Sequence, residues 1–143
     1  MVKIGFSLPA MHPSQFEQTI ALLHQAGFAA VSPVWSQDLQ LEALASCVTL
    51  FLFVQPQSGG KLNELLWEPQ NPLSANTVKN ITGCIDACAQ FQIPIAVVHG
   101  WQGFDYCFDL KSLDFTNFDY FVDYAEQKQV SIAFENLEGE EFL

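Results

Sequence analysis

Two residues have the type and the placement to do chemistry together. Glu135 stands near the end of Val130-Ser131-Ile132-Ala133-Phe134-Glu135-Asn136, and His99 closes Ile93-Pro94-Ile95-Ala96-Val97-Val98-His99. Alternation along the later run puts Val130, Ile132 and Phe134 on one face and Ser131, Ala133 and Glu135 on the other. In a strand packed under helices the large apolar set faces the helices. The small set, with Glu135, then faces a crowded centre. A carboxylate on an apolar strand is costly unless it is paired or coordinated. An imidazole and a carboxylate at the carboxyl ends of consecutive strands form a mixed N/O donor pair suited to Zn, Mn, Co or Fe. Strand ends of this kind are where α/β proteins place chemistry. Each residue also has a plainer reading: His99 as a hydrogen-bonded structural histidine, Glu135 as a carboxylate held by loop backbone. Two ligands do not complete a metal site.

Aromatic rings gather at the same level of the chain. Phe6, Trp35 and Trp101 lie at or just past strand ends, and Trp67 sits in a long loop. Apolar ring faces around a polar pocket suit the C–H surfaces of sugars, although loop anchoring accounts for each ring taken singly. His12 follows the first strand and borders the same end, whereas His24 falls mid-helix in a solvated position. The sequence has no G-x-S-x-G, no P-loop and no G-x-G-x-x-G, and Gly59-Gly60-Lys61 lacks the flanks of a phosphate loop.

The elements that must position these residues follow a steady beat. Strand signals recur at about 2–7, 29–35, 48–55, 93–99 and 130–136. Between the first two, Ser14 and Glu17 form a capping box with Ser14 as N-cap. Phe16, Ile20, Leu23 and Ala26 make one apolar stripe, and Gly27 supplies the stop. A short helix is expected over 38–45. A longer one over 75–91 carries Val78, Ile81, Ile85 and Cys88 at helical spacing. The last, over 117–129, turns Phe118, Phe121, Val122 and Ala125 inward, with Thr116 as N-cap. Alternating strands and helices imply parallel strands joined by crossovers. The irregular stretch 55–74 follows the third strand, a position where long loops carry function more often than scaffolding. The expectation is one domain over 1–143.

Composition narrows the function classes. Half the residues are hydrophobic and 15% are charged, as buried strands require. Five Lys and Arg against sixteen Asp and Glu give a net charge of −11, which repels a phosphate backbone and an anionic membrane alike. No apolar run reaches the ~18 residues of a membrane span, and the chain enters a strand directly, with no leader pattern. Cys84 and Cys88 lie four apart, which is helix-core spacing and neither a zinc knuckle nor a C-x-x-C pair. With Cys47 and Cys107 they read as reduced thiols, so a cytoplasmic protein is expected.

Taken together, Lys3-Ile4-Gly5-Phe6-Ser7, Leu62-Asn63-Glu64-Leu65-Leu66-Trp67, Val97-Val98-His99 and Ala133-Phe134-Glu135-Asn136 resemble the xylose-isomerase-like TIM-barrel superfamily of sugar isomerases, epimerases and endonuclease IV-like enzymes. The resemblance implies an α/β fold built of parallel (βα) units of a TIM barrel. It makes His99 and Glu135 metal-facing, with a divalent cation (Mn, Zn, Co or Mg) as cofactor. It also implies proton abstraction beside a carbonyl, with Glu135 as base or ligand and a sugar or sugar phosphate as substrate. Phe6, Trp35, Gln55, Trp67 and Trp101 become the substrate-binding set. Many members place a histidine at the end of the third strand; here Gln55 stands there, able to hydrogen-bond a hydroxyl but a poor transition-metal ligand. The superfamily also draws ligands from the sixth to eighth strands. A full barrel takes ~250 residues, so the chain corresponds to the first five-eighths, and the cation need not be retained.

Such a part-barrel has two apolar edge strands, which template pairing with other chains. A homo-oligomer or a complementary fragment is therefore expected. The leading functional expectation is a truncated sugar or sugar-phosphate isomerase or epimerase of impaired activity. The alternatives are a catalytically inactive remnant serving as a small-molecule binding or interaction module, and a flavodoxin-like sheet, against which the loop Ser7-Leu8-Pro9-Ala10-Met11-His12-Pro13 argues. Endonuclease action on DNA conflicts with the charge.

Overall fold

The computed structural model describes residues 5–9, 11–39, 41–42, 48–49, 51–54, 66–101 and 113–136; at several strand positions, His99, Trp101 and Asn136 among them, it describes the backbone alone. The elements in chain order are β1 (Gly5–Leu8), α1 (Pro13–Gln25), β2 (Ala30–Trp35), β3 (Val48–Thr49), β4 (Phe51–Val54), α2 (Ser74–Gln90), β5 (Ile95–Trp101), α3 (Thr116–Lys128) and β6 (Ser131–Asn136). The third expected strand is two short pieces, β3 and β4, on either side of residue 50. Every pairing is parallel, and the lateral order is β1-β2-β4-β5-β6 with β3 beside β2. Each main strand lies next to its predecessor in the chain. A doubly wound sheet reverses its order at a switch point, so this sequential order is that of barrel units and removes the flavodoxin-like alternative. β1 and β6 are the two edges of the described sheet.

Register fixes which residues share a face. Phe6 aligns with Val31 and Leu8 with Pro33; Leu52 with Ala96 and Ala96 with Ile132; Val54 with Val98 and Val98 with Phe134. Leu8, Val31, Leu52, Ala96 and Val98 from these rows pack with Phe16, Ile20, Ile81, Cys84, Ile85, Cys88, Phe121 and Ala125 into the core between sheet and helices. The intervening rows pair Gly5 with Ala30, Ser7 with Ser32, Val97 with Ala133, and His99 with Glu135. On that second face Ala30, Ser32 and Val97 are buried, while Gly5, Ser7, Ser131, Ala133 and Glu135 are exposed. Ser131, Ala133 and Glu135 are thus exposed rather than packed in a crowded centre, because among the described residues the edge strand is shielded from one side only.

Local rules set the helix ends. His12, not Ser14, is the N-cap of α1: its Nδ1 accepts the Ser14 N–H at 3.3 Å and lies 2.8 Å from Ser14 Oγ. Pro13 takes the first helical position, where its missing N–H costs nothing. Phe115, not Thr116, precedes α3, and Asp114 Oδ1 accepts the Thr116 N–H at 2.9 Å. The three helices among the described residues end alike. A left-handed residue (Gly27 at φ 85, Gln92 at φ 57, Gln129 at φ 59) is followed by an apolar one. That residue's N–H returns to the helix: Phe28 to Leu23 at 3.0 Å, Ile93 to Cys88 at 2.8 Å, Val130 to Ala125 at 3.0 Å. This is the Schellman closure, used three times to turn helix into strand.

Cys84 and Cys88 are free and buried, as their spacing implies. The hydrogen bond with Cys88, then burial, pushes the Cys84 thiol far up, so it is inert as a nucleophile. Cys47, Cys107 and residues 43–45 of the expected short helix lie outside the described residues; Leu41–Glu42 form a 3₁₀ turn. No described helix is long and apolar enough to cross a membrane.

Candidate functional site

The carboxyl ends of β5 and β6 bring the two candidate ligands into one row. His99 and Glu135 are register partners, and the next pair is Trp101 with Asn136, leaving Gly100 as an extra residue on β5. That is a bulge, a device that ends regular pairing and re-aims the strand beside a site. Glycine suits it because the bulged backbone is free of a Cβ. Glu135 is exposed on the open face. Its neighbour Phe134 lies on the opposite face, where its ring meets Phe118 of α3 at 4.5 Å between centroids.

The aromatic candidates divide between layers. Phe6 is 42% exposed, shares the row of Val31, and meets Phe28 edge-on at 5.5 Å. Trp35 lies against α2: its indole N–H donates to the Asn80 carbonyl at 3.2 Å, and a Cβ on Gly83 would come within 3.3 Å of its ring. Trp67, just ahead of α2, stacks on Phe118 at 6.0 Å and meets Phe115 edge-on at 5.5 Å. Trp101 occupies the far side of the bulge, and Gln55 lies outside the described residues. Nearby, Asn117 Nδ2 donates to Ser74 Oγ at 2.8 Å in a buried bond that ties the start of α3 to the start of α2.

Phe115 and Phe118 are the residues that spacing did not single out as part of this region. Helical periodicity placed Phe118 inward, but only the fold shows that it bridges Trp67 to Phe134. Val122, also expected inward, is 42% exposed. It lines a groove of about 530 Å³ with Phe118, Ala125, Val130, Ile132 and Phe134, on the flank of α3 beyond the edge strand.

His99 and Glu135 are of residue types that can ligate a divalent cation, and what the structure gives of the pair is their backbone register on adjacent strands. No group of three or more metal-ligating side chains occurs among the described residues.

No family model and no curated protein matches the sequence. Solved structures do. A structure of L-ribulose 3-epimerase superposes with TM-score 0.71 at 11% identity, over 94% of this chain and 49% of that one. D-psicose 3-epimerase with D-tagatose, from Clostridium cellulolyticum H10, gives 0.66 at 15% identity, over 94% and 53%. Mannonate dehydratase from Streptococcus suis serotype 2 gives 0.54 at 13% identity, again over 94% and 53%. The chain thus spans about half the length of the structures it matches. What it shares with them is the fold: parallel (βα) units of a TIM barrel, over about half of their length.

Proposed function

We propose that the chain is a metal-dependent sugar or sugar-phosphate isomerase or epimerase domain, with His99 and Glu135 as its ligands and Glu135 as its base. The observation that supports this most is the shared row of His99 and Glu135 at the carboxyl end of the sheet, in a fold otherwise met in sugar epimerases. A divalent cation, when bound, would polarise the substrate carbonyl. Glu135 would then take a proton from the adjacent carbon and return it. Trp67 and Trp101 stand at the end from which a sugar would enter. In this reading the working protein covers the β6 edge with a second copy or a complementary polypeptide.

The exposure of Glu135 supports a second reading, an inactive module that binds a small molecule. Proton transfer from carbon depends on an environment that excludes water. The test is solvent-deuterium wash-in beside the carbonyl of a ketohexose such as D-tagatose, with Mn²⁺ present. Incorporation lost in Glu135→Gln supports the enzyme. Sugar binding without incorporation supports the module. Neither binding nor incorporation removes both readings.

A further inference from the structure

We propose that Phe118 is a positioning residue for Glu135, an inference that deepens the functional reading above and rests on it for its consequence. Phe118 is the hub of an aromatic set that joins three parts of the fold. Its ring lies 4.5 Å from Phe134, 6.0 Å from Trp67 and 6.1 Å from Phe115. Phe134 is the residue before Glu135. Successive strand residues point to opposite faces, so the packing of one sets the direction of the next.

This matters at β6 more than elsewhere. Among the described residues β6 pairs with β5 alone, and the ladder falls out of step immediately after the His99–Glu135 row. Backbone pairing therefore weakens next to the carboxylate, and the packing of Phe134 adds to what holds it. The Phe118 ring presses Phe134 onto the helix-facing side and so directs Glu135 to the open face. Trp67, stacked 19° from parallel on Phe118, carries the same constraint to the segment ahead of α2. A change in that segment is thereby felt at Glu135 through two ring contacts.

Hydrogen exchange of the 132–136 amides is the deciding measurement, in the whole chain, for Phe118→Leu and Phe118→Tyr. Leucine keeps bulk and loses the ring; tyrosine keeps the ring. Aromatic pairs of this kind support about a tenfold faster exchange in Phe118→Leu. The acceleration should be confined to 132–136, with protection restored in Phe118→Tyr and a shift in Trp67 emission in the leucine variant alone. Unchanged exchange in Phe118→Leu, or equal acceleration through β5 and α2, overturns the proposal. Mn²⁺ titration separates the two ideas. Affinity insensitive to Glu135→Gln defeats the metal reading. Affinity lost in Glu135→Gln but unaltered in Phe118→Leu defeats the positioning role.

Discussion

His99 on β5 and Glu135 on β6 form the last in-step pair of the sheet before Gly100 bulges from the ladder. In the proposed function the two are donors to one divalent cation. Loss of an outer partner of a metal ligand costs roughly 10–100-fold in affinity, and loss of a ligand costs at least that. His99→Ala and Glu135→Gln should therefore each weaken Mn²⁺ binding by more than about tenfold. The double variant should be little worse than either alone. Calorimetric titration of the four proteins checks this; equal affinities would remove the pair as a site.

Much of the fold was legible because apolar alternation and helical stripes are set by burial. Ile81, Ile85 and Cys88 are buried as their spacing implied, and chain order gave strand order. The ends of elements were less legible. Ser14 and Thr116 looked like caps by type, but His12 and Asp114 hold the orphan N–H groups. Gly27 announced its left-handed turn, whereas Gln92 and Gln129 adopt the same conformation with nothing in their type to signal it. At the site, strand signals placed His99 and Glu135 at equivalent ends of consecutive strands, and only the register makes them partners. The layering of Phe6 and Trp35 was not legible, because a ring near a strand end can face either side until register is known.

The glutamine turns offer a stability prediction. A non-glycine residue in the left-handed region bears a Cβ penalty that glycine escapes. Glycine recovers less than the full amount because its unfolded state is freer. Gln92→Gly and Gln129→Gly should each stabilise the chain by about 0.5–1 kcal/mol, additively, since they close different helices. Denaturant midpoints would show it. Destabilisation would mean that the glutamine side chains hold contacts that outweigh the backbone strain.

Acid sensitivity should arise in part where α2 meets α3. Asp86 accepts hydrogen bonds from Tyr124 at 2.9 and 3.0 Å and pairs with Lys128 at 2.6 Å. Partial desolvation works to raise the Asp86 pKa, but the bonds from Lys128 and Tyr124 prevail and hold it below the ordinary carboxylate value. A depressed folded pKa adds stability that is complete above the unfolded value, about 3.9, and is lost as pH falls through the folded one. The stability difference between the native chain and Asp86→Asn should therefore be level near neutrality and close below about pH 3.9. It should be small, because both charged groups are well exposed. Urea midpoints followed through that range test it, and a difference independent of pH would show that Asp86 acts through shape rather than charge.

The edge at β6 bears on every functional reading. Among the described residues β6 has one partner strand, and the apolar groove with Val122 lies directly beside it. The outer side of an edge strand next to exposed apolar surface recruits a further strand. The 143-residue chain should therefore self-associate in solution, and Ala133→Lys on the strand or Val122→Glu in the groove should shift it toward monomer. Salt gives the sharper test. With a net charge of −11, copies repel one another, and screening shortens the reach of that repulsion to ~10 Å at 0.1 M. Association through the edge should strengthen as salt rises, whereas association through ion pairs would weaken. Light scattering across a salt series, with and without Mn²⁺, reads both. A mass that grows with salt and falls in Ala133→Lys would place a second chain beside Glu135, supplying the cover that proton transfer from carbon needs. A monomer indifferent to salt and to both substitutions would leave Glu135 facing water, and the binding module would then be the better account.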